Sequence, residues 1–182
     1  MAKASLTAAA GNVAVARRAR RAHPRATHRN GAPGARRQPD RPMCMILYAA
    51  ADTPLPTLPM GDPPAPLSVR AIRASEEPVR AHFGKPHVYV LGAHTGCSCG
   101  FSYGDGGDED AAGRESVRRL GAYLATAVGH AGPVELYACW GGDEAEPAAA
   151  GRATLTAADF AGDAARFALT ERWLATVVLA AS

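Results

Sequence analysis

The chain has 182 residues, 47% of them hydrophobic, which suits one globular domain with a core of its own. No stretch approaches the roughly 20 apolar residues that a membrane-crossing helix requires. The formal net charge of +3 hides two opposed parts: residues 1–42 carry ten Lys and Arg against one acid, Asp40, and the rest carries ten against sixteen, so overall basicity is no argument for nucleic-acid binding outside the leader.

Residues 1–42 are rich in Ala and Arg and short of large apolar side chains. Such a segment cannot bury enough surface to offset its ordering entropy, and it is expected to be a disordered basic leader. Three readings fit it: an organelle-type transit peptide, a nucleic-acid-binding arm, or translated sequence upstream of the true start. The last is favoured because Met43 stands immediately before the first patterned segment. Leu6 to Ala16 is too weakly apolar for the core of a secretory signal. The expected organisation is thus a leader over 1–42 and a single soluble, cytoplasmic domain over 43–182 whose four cysteines are reduced thiols.

In chain order, residues 43–50 (MCMILYAA) form a short apolar run suited to a buried strand. Six prolines between Pro54 and Pro66 then demand an extended surface loop, because proline has no backbone donor. Residues 67–72 alternate as an edge strand does. Ser75 is placed to cap a short helix running to about Phe83, with Glu76 and Glu77 in its first turn. Residues 87–91 (HVYVL) make the clearest strand and lead into a Gly- and Cys-rich loop, GAHTGCSCGFSYGDGG.

An amphipathic helix is predicted over 113–130, with Val117, Leu120, Leu124 and Val128 on one face and Asp108, Glu109 and Asp110 ahead of it. Residues 134–140 (VELYACW) are a second strand. After an Ala- and Pro-rich loop, Thr156 and Asp159 suit a capping box around Phe160, and residues 167–178 alternate as a strand does, although a helix also fits. The predicted fold class is α/β or α+β: a small mixed sheet containing one β-α-β unit.

That unit decides where chemistry would sit. Two parallel strands joined by a right-handed crossover place both C-terminal ends on one edge of the sheet, the edge where open α/β sheets bind ligands. On it would converge His94, Cys97 and Cys99 from the first loop, with Cys139, Trp140, Asp143 and Glu144 from the second. Cys44 joins them only if its strand runs antiparallel to the other two.

The runs MCMILYAAD, HFGKPHVYVLGAHTGCSCGF, ELYACWGGDE and FALTERWLATV resemble those of a group of small, uncharacterised bacterial proteins. The resemblance covers most of the body from Met43 onward and omits the leader. It implies a late start and carries no activity with it.

The leading expectation is metal binding, with His94, Cys97, Cys99 and Cys139 as ligands and zinc as the ion, since thiolates and imidazole suit that metal; sulfur-rich sites also suit iron and Cu(I). The first alternative is a thiol-redox protein using the Cys97-x-Cys99 pair. The second is an interaction module whose cysteines are inert, as buried thiols often are. If translation starts at Met43 and that residue is removed, Cys44 becomes an N-terminal nucleophile with its own amine as base. The acidic glycine run GDGGDEDAAG lacks the Lys-Ser/Thr of a phosphate-binding loop, and no serine has a nucleophile-elbow context.

Overall fold

The computed structural model describes residues 44–102, 108–148, 151–161 and 167–180; the leader and the end of the glycine loop lie outside them. The apolar runs become strands β1 (Met45–Ala51), β2 (Leu67–Ala71), β3 (His87–Ala93), β4 (Val134–Trp140), β5 (Arg152–Thr156) and β6 (Trp173–Val178). They form one sheet in the order β2-β3-β1-β4-β6-β5, and helix α1 (Asp108–Ala131) connects β3 to β4. The class is mixed α+β, as expected.

The β-α-β unit is present with one strand inserted into it. β1 lies between β3 and β4 and runs antiparallel to both. β3 and β4 are therefore parallel to each other without being neighbours. Along the sheet only β5 and β6 pair in parallel.

Both faces of the central strands are covered, which is why β1 reads as a continuous apolar run instead of an alternating one. Leu47, Ala49 and Ala51 join Leu120 and Leu124 of α1 in the main core. Tyr48 and Ala50 point the other way, into a second cluster with Val88, Val90, Tyr137 and Cys139, covered by Val79. Val79 belongs to a 3-10 segment, Ala74–His82. That segment begins one residue before the proposed Ser75 cap, with Arg73 as its N-cap, because the Glu76 carboxylate accepts the Arg73 N–H at 2.7 Å.

Three further expectations change. Helix α1 starts at Asp108, so the acids read as preceding it fall within its first turn. Residues 152–156, read as loop, form edge strand β5; only Leu155 of it is buried, so its apolar pattern is faint. The last strand occupies 173–178 of the 167–178 window. The Thr156 cap is as expected, with the Asp159 carboxylate accepting its N–H at 2.7 Å. Gly132 ends α1 at φ 72°, donating its N–H to Val128 O at 3.0 Å. Among the described residues no helix is long and apolar enough to cross a membrane.

Two glycines of α1 give opposite predictions. A Cβ at Gly121 would lie 2.6 Å from Phe160 Cβ and 3.3 Å from Ala157 O, whereas nothing lies within 4 Å of one at Gly129. Alanine gains up to about 1 kcal/mol of helix propensity at either site, but overpacking at Gly121 costs about 1–3 kcal/mol. Urea unfolding should therefore show Gly121→Ala destabilised and Gly129→Ala unchanged or stabilised.

Candidate metal centre

β3 ends at Ala93 and the chain turns back at once. Gly96 donates its N–H to Ala93 O at 2.9 Å, Ala93 donates to Cys97 O at 3.0 Å, and Gly96 adopts φ 77°, which glycine tolerates. A short 3-10 segment, Ser98–Phe101, follows. Gly100 in it has no room for a side chain: a Cβ there would lie 2.7 Å from Thr95 Oγ1 and 2.9 Å from Ala93 Cβ.

Ser98 holds this loop to the sheet. Its buried hydroxyl accepts the Leu47 N–H at 2.8 Å and donates to Leu91 O at 2.5 Å. Leu47 and Leu91 are register partners of β1 and β3, so the hydroxyl bridges two backbone groups that an uninterrupted ladder could join directly. The residues on either side, Cys97 and Cys99, are thereby brought to the start of β1.

Cys44 is positioned there by the residue that follows β4, since Gly141 donates its N–H to Cys44 O at 2.9 Å. Cys99 Sγ faces Met45 O at 3.8 Å. The sulfurs of Cys44, Cys97 and Cys99 all lie within 4.8 Å of one another, and all three residues remain partly exposed.

The convergent set is thus Cys44, Cys97 and Cys99, in place of the His94, Cys97, Cys99, Cys139 set read from spacing. Cys44 joins because β1 meets the topological condition of running antiparallel to both neighbours. Cys139 is buried among Tyr48, Val90 and Tyr137. Its register partner is Ile46, so it sits one two-residue repeat from Cys44, about 6.8 Å along the strand. His94 turns toward α1, with its N–H donating to Ser116 Oγ at 3.2 Å and its Nδ1 3.0 Å from the same oxygen. Glu144 is buried, accepting from the Tyr48 hydroxyl at 3.2 Å and the Gly142 N–H at 3.1 Å, and so braces the turn after β4.

The thiols differ in acidity. Burial opposes ionisation of Cys97, but hydrogen bonds from the Thr95 hydroxyl, the Cys99 backbone N–H and the Cys99 and Cys44 thiols outweigh it and bring its pKa below the usual thiol value. Burial, with the Cys97 thiol beside it, pushes Cys99 up to about 11. Burial and the charges of Glu144 and Asp143 push Cys139 up to about 12.

A cleft of about 620 Å³ opens beside the thiols, with Cys44 and Cys97 in its wall. Its floor follows from register: Ser68 pairs with Gly92 and Arg70 with Val90, and Ile46 lines the cleft beside them. Gly92 keeps the floor low, since a Cβ there would come within 2.5 Å of Ser68 Oγ. One wall is the proline-rich loop, through Leu58 and Met60, and the other carries Arg73 and Glu76. Arg70 donates to Glu76 at 2.8 and 2.6 Å. Burial resists ionisation of Glu76, but these bonds and the Arg73 N–H prevail and lower its pKa.

Comparison with known protein families, with curated proteins and with solved structures found no match.

Two outcomes are expected. Ser98→Ala leaves the Leu47 N–H without its partner and should destabilise the protein by about 1–3 kcal/mol in chemical denaturation; unchanged stability would remove the bridging role. In metal-free protein at pH 8, iodoacetamide followed by peptide mass mapping should modify Cys97 ahead of Cys99 and Cys139. A thiol of lowered pKa is ionised from a lower pH upward, so the Cys97 rate should level off while that of Cys99 still climbs toward pH 11.

Proposed function

We propose that this protein binds a thiophilic metal ion, zinc, through Cys44, Cys97 and Cys99. The observation that carries this reading is the convergence of three sulfurs within 4.8 Å from two separate parts of the chain. Zinc–sulfur bonds of about 2.3 Å at tetrahedral angles set sulfurs about 3.8 Å apart, so small side-chain rotations close the triad on an ion. An all-sulfur donor set selects soft or borderline metals over magnesium and calcium.

The thiol-redox reading shares two of these residues and differs on the third. A disulfide between Cys97 and Cys99 has no use for Cys44, whereas a metal does. The interaction-module reading calls for an exposed apolar patch, and among the described residues the only exposed large hydrophobic side chains are Met60 and Leu179.

The test is elemental analysis of full-length protein purified without an affinity tag. Zinc is expected near one equivalent per chain in wild type and only in traces in Cys44→Ser, Cys97→Ser and Cys99→Ser. His94→Ala and Cys139→Ala should retain it, the latter at a stability cost on the order of 1 kcal/mol. Zinc that persists in Cys44→Ser, or disappears from a folded Cys139→Ala, would overturn the assignment.

A further inference from the structure

The cleft beside the thiols has a shape and a charge that metal binding alone leaves unused. We propose that it binds a small carboxylate-bearing thiol, whose sulfur completes the coordination of the ion held by the triad while its carboxylate meets Arg73. This inference rests on the metal reading and extends it to a class of ligand.

The first argument is the direction from which the ion is reached. Cys44 and Cys97 line the cleft and Cys99 does not, its sulfur being turned toward Met45 O. An ion among the three therefore has the cleft on the side of Cys44 and Cys97. Among the described residues no fourth His, Cys, Asp or Glu atom joins the group. Three protein donors are the pattern of zinc sites that keep an exchangeable position, and thiolate surroundings favour a soft donor in it.

The second argument is charge. Arg70, Arg73 and Glu76 are the charged residues lining the cleft. Arg70 and Glu76 hold each other through two hydrogen bonds, and Glu76 also accepts the Arg73 N–H. The Arg73 side chain is exposed and forms no ion pair among the described residues. Away from the thiols and their ion, the cleft's side chains therefore carry one positive charge more than negative, and Arg73 presents it on a planar fork that matches a carboxylate.

The third is the surface between these two ends. Ile46, Val90, Leu58 and Met60 offer it hydrocarbon, and Gly92 leaves it depth. The volume of about 620 Å³ falls within the range usual for small-molecule sites, about 300–1,000 Å³. A molecule with a thiol at one end, a carboxylate at the other and an aliphatic body matches all three parts.

The experiment uses the full chain loaded with Co(II), a spectroscopic stand-in for zinc, and titrates it with 3-mercaptopropionate, 2-mercaptoethanol and propionate. Ligand-field and sulfur-to-cobalt absorption are followed, and gel filtration verifies that the metal stays with the protein. The mercapto acid should perturb both bands and saturate at a concentration at least about tenfold below that of the mercapto alcohol. Arg73→Gln should abolish that preference and leave the alcohol's curve in place, and propionate should leave the sulfur bands unchanged.

Equal affinity of the two thiols in wild type, or a preference that survives Arg73→Gln, would overturn the carboxylate contact. Cobalt–thiolate bands that no thiol perturbs, or cobalt carried off by the probe, would overturn the ligand while leaving the metal reading in place. If the untreated protein never develops cobalt–thiolate absorption, the metal reading fails and the ligand goes with it.

Discussion

Leu47 stands in a fully buried stretch of the middle strand, and its backbone N–H is satisfied by a side chain, the Ser98 hydroxyl, which in turn donates a hydrogen bond to Leu91 O. A buried donor left unpaired costs more than an ordinary hydrogen bond contributes, so the loop carrying Ser98 cannot drift away from β1 and β3 without penalty. Because backbone geometry then sets where the neighbours of Ser98 stand, one serine determines the position of two thiols. The third thiol depends on strand order, since it heads the strand that Ser98 bridges. Site and sheet are in this sense one structure.

Much of the fold was legible in the sequence because its signals are local. The proline-rich loop, the periodicity of α1, the strand at 134–140 and the Thr156 cap each arise from neighbouring residues acting on each other, and each is where composition places it. Local reasoning failed where the signal was thin. β5 shows one buried side chain in five residues, and it exists because β6 is available to pair with it. The acids of 108–110 fit a capping segment as well as a first helical turn, and sequence alone does not separate the two.

The site was legible to a lesser degree, for a different reason. Cys97 and Cys99 stood out because a Cys-x-Cys in a glycine-rich turn is a local feature. Choosing between Cys44 and Cys139 as their companion required the direction of β1 relative to its neighbours, a property of the pairing and of no single segment. The topological condition could be written down from sequence, and only the sheet order met it. His94 followed the spacing of a ligand, but the turn at Gly96 gives its ring to Ser116. The cleft left no trace in the sequence. Ser68, Arg70, Val90 and Gly92 become neighbours through the register of β2 on β3, and a glycine's role as a floor is invisible until something stands above it.

The proline-rich loop that walls the cleft also touches the outermost strand on that side. Leu58 and Val69 exchange both backbone hydrogen bonds, at 2.9 and 2.8 Å, so the middle of β2 is already paired on the side facing away from β3. Around that bridge the loop carries prolines, which offer no N–H to an approaching chain. A free strand edge invites another molecule to add to the sheet, and here a short piece of the same chain takes that place and declines to extend it. The segment that shapes the entrance to the thiols therefore also guards this margin of the sheet against self-association, and loosening it would expose a templating edge as it opened the cleft.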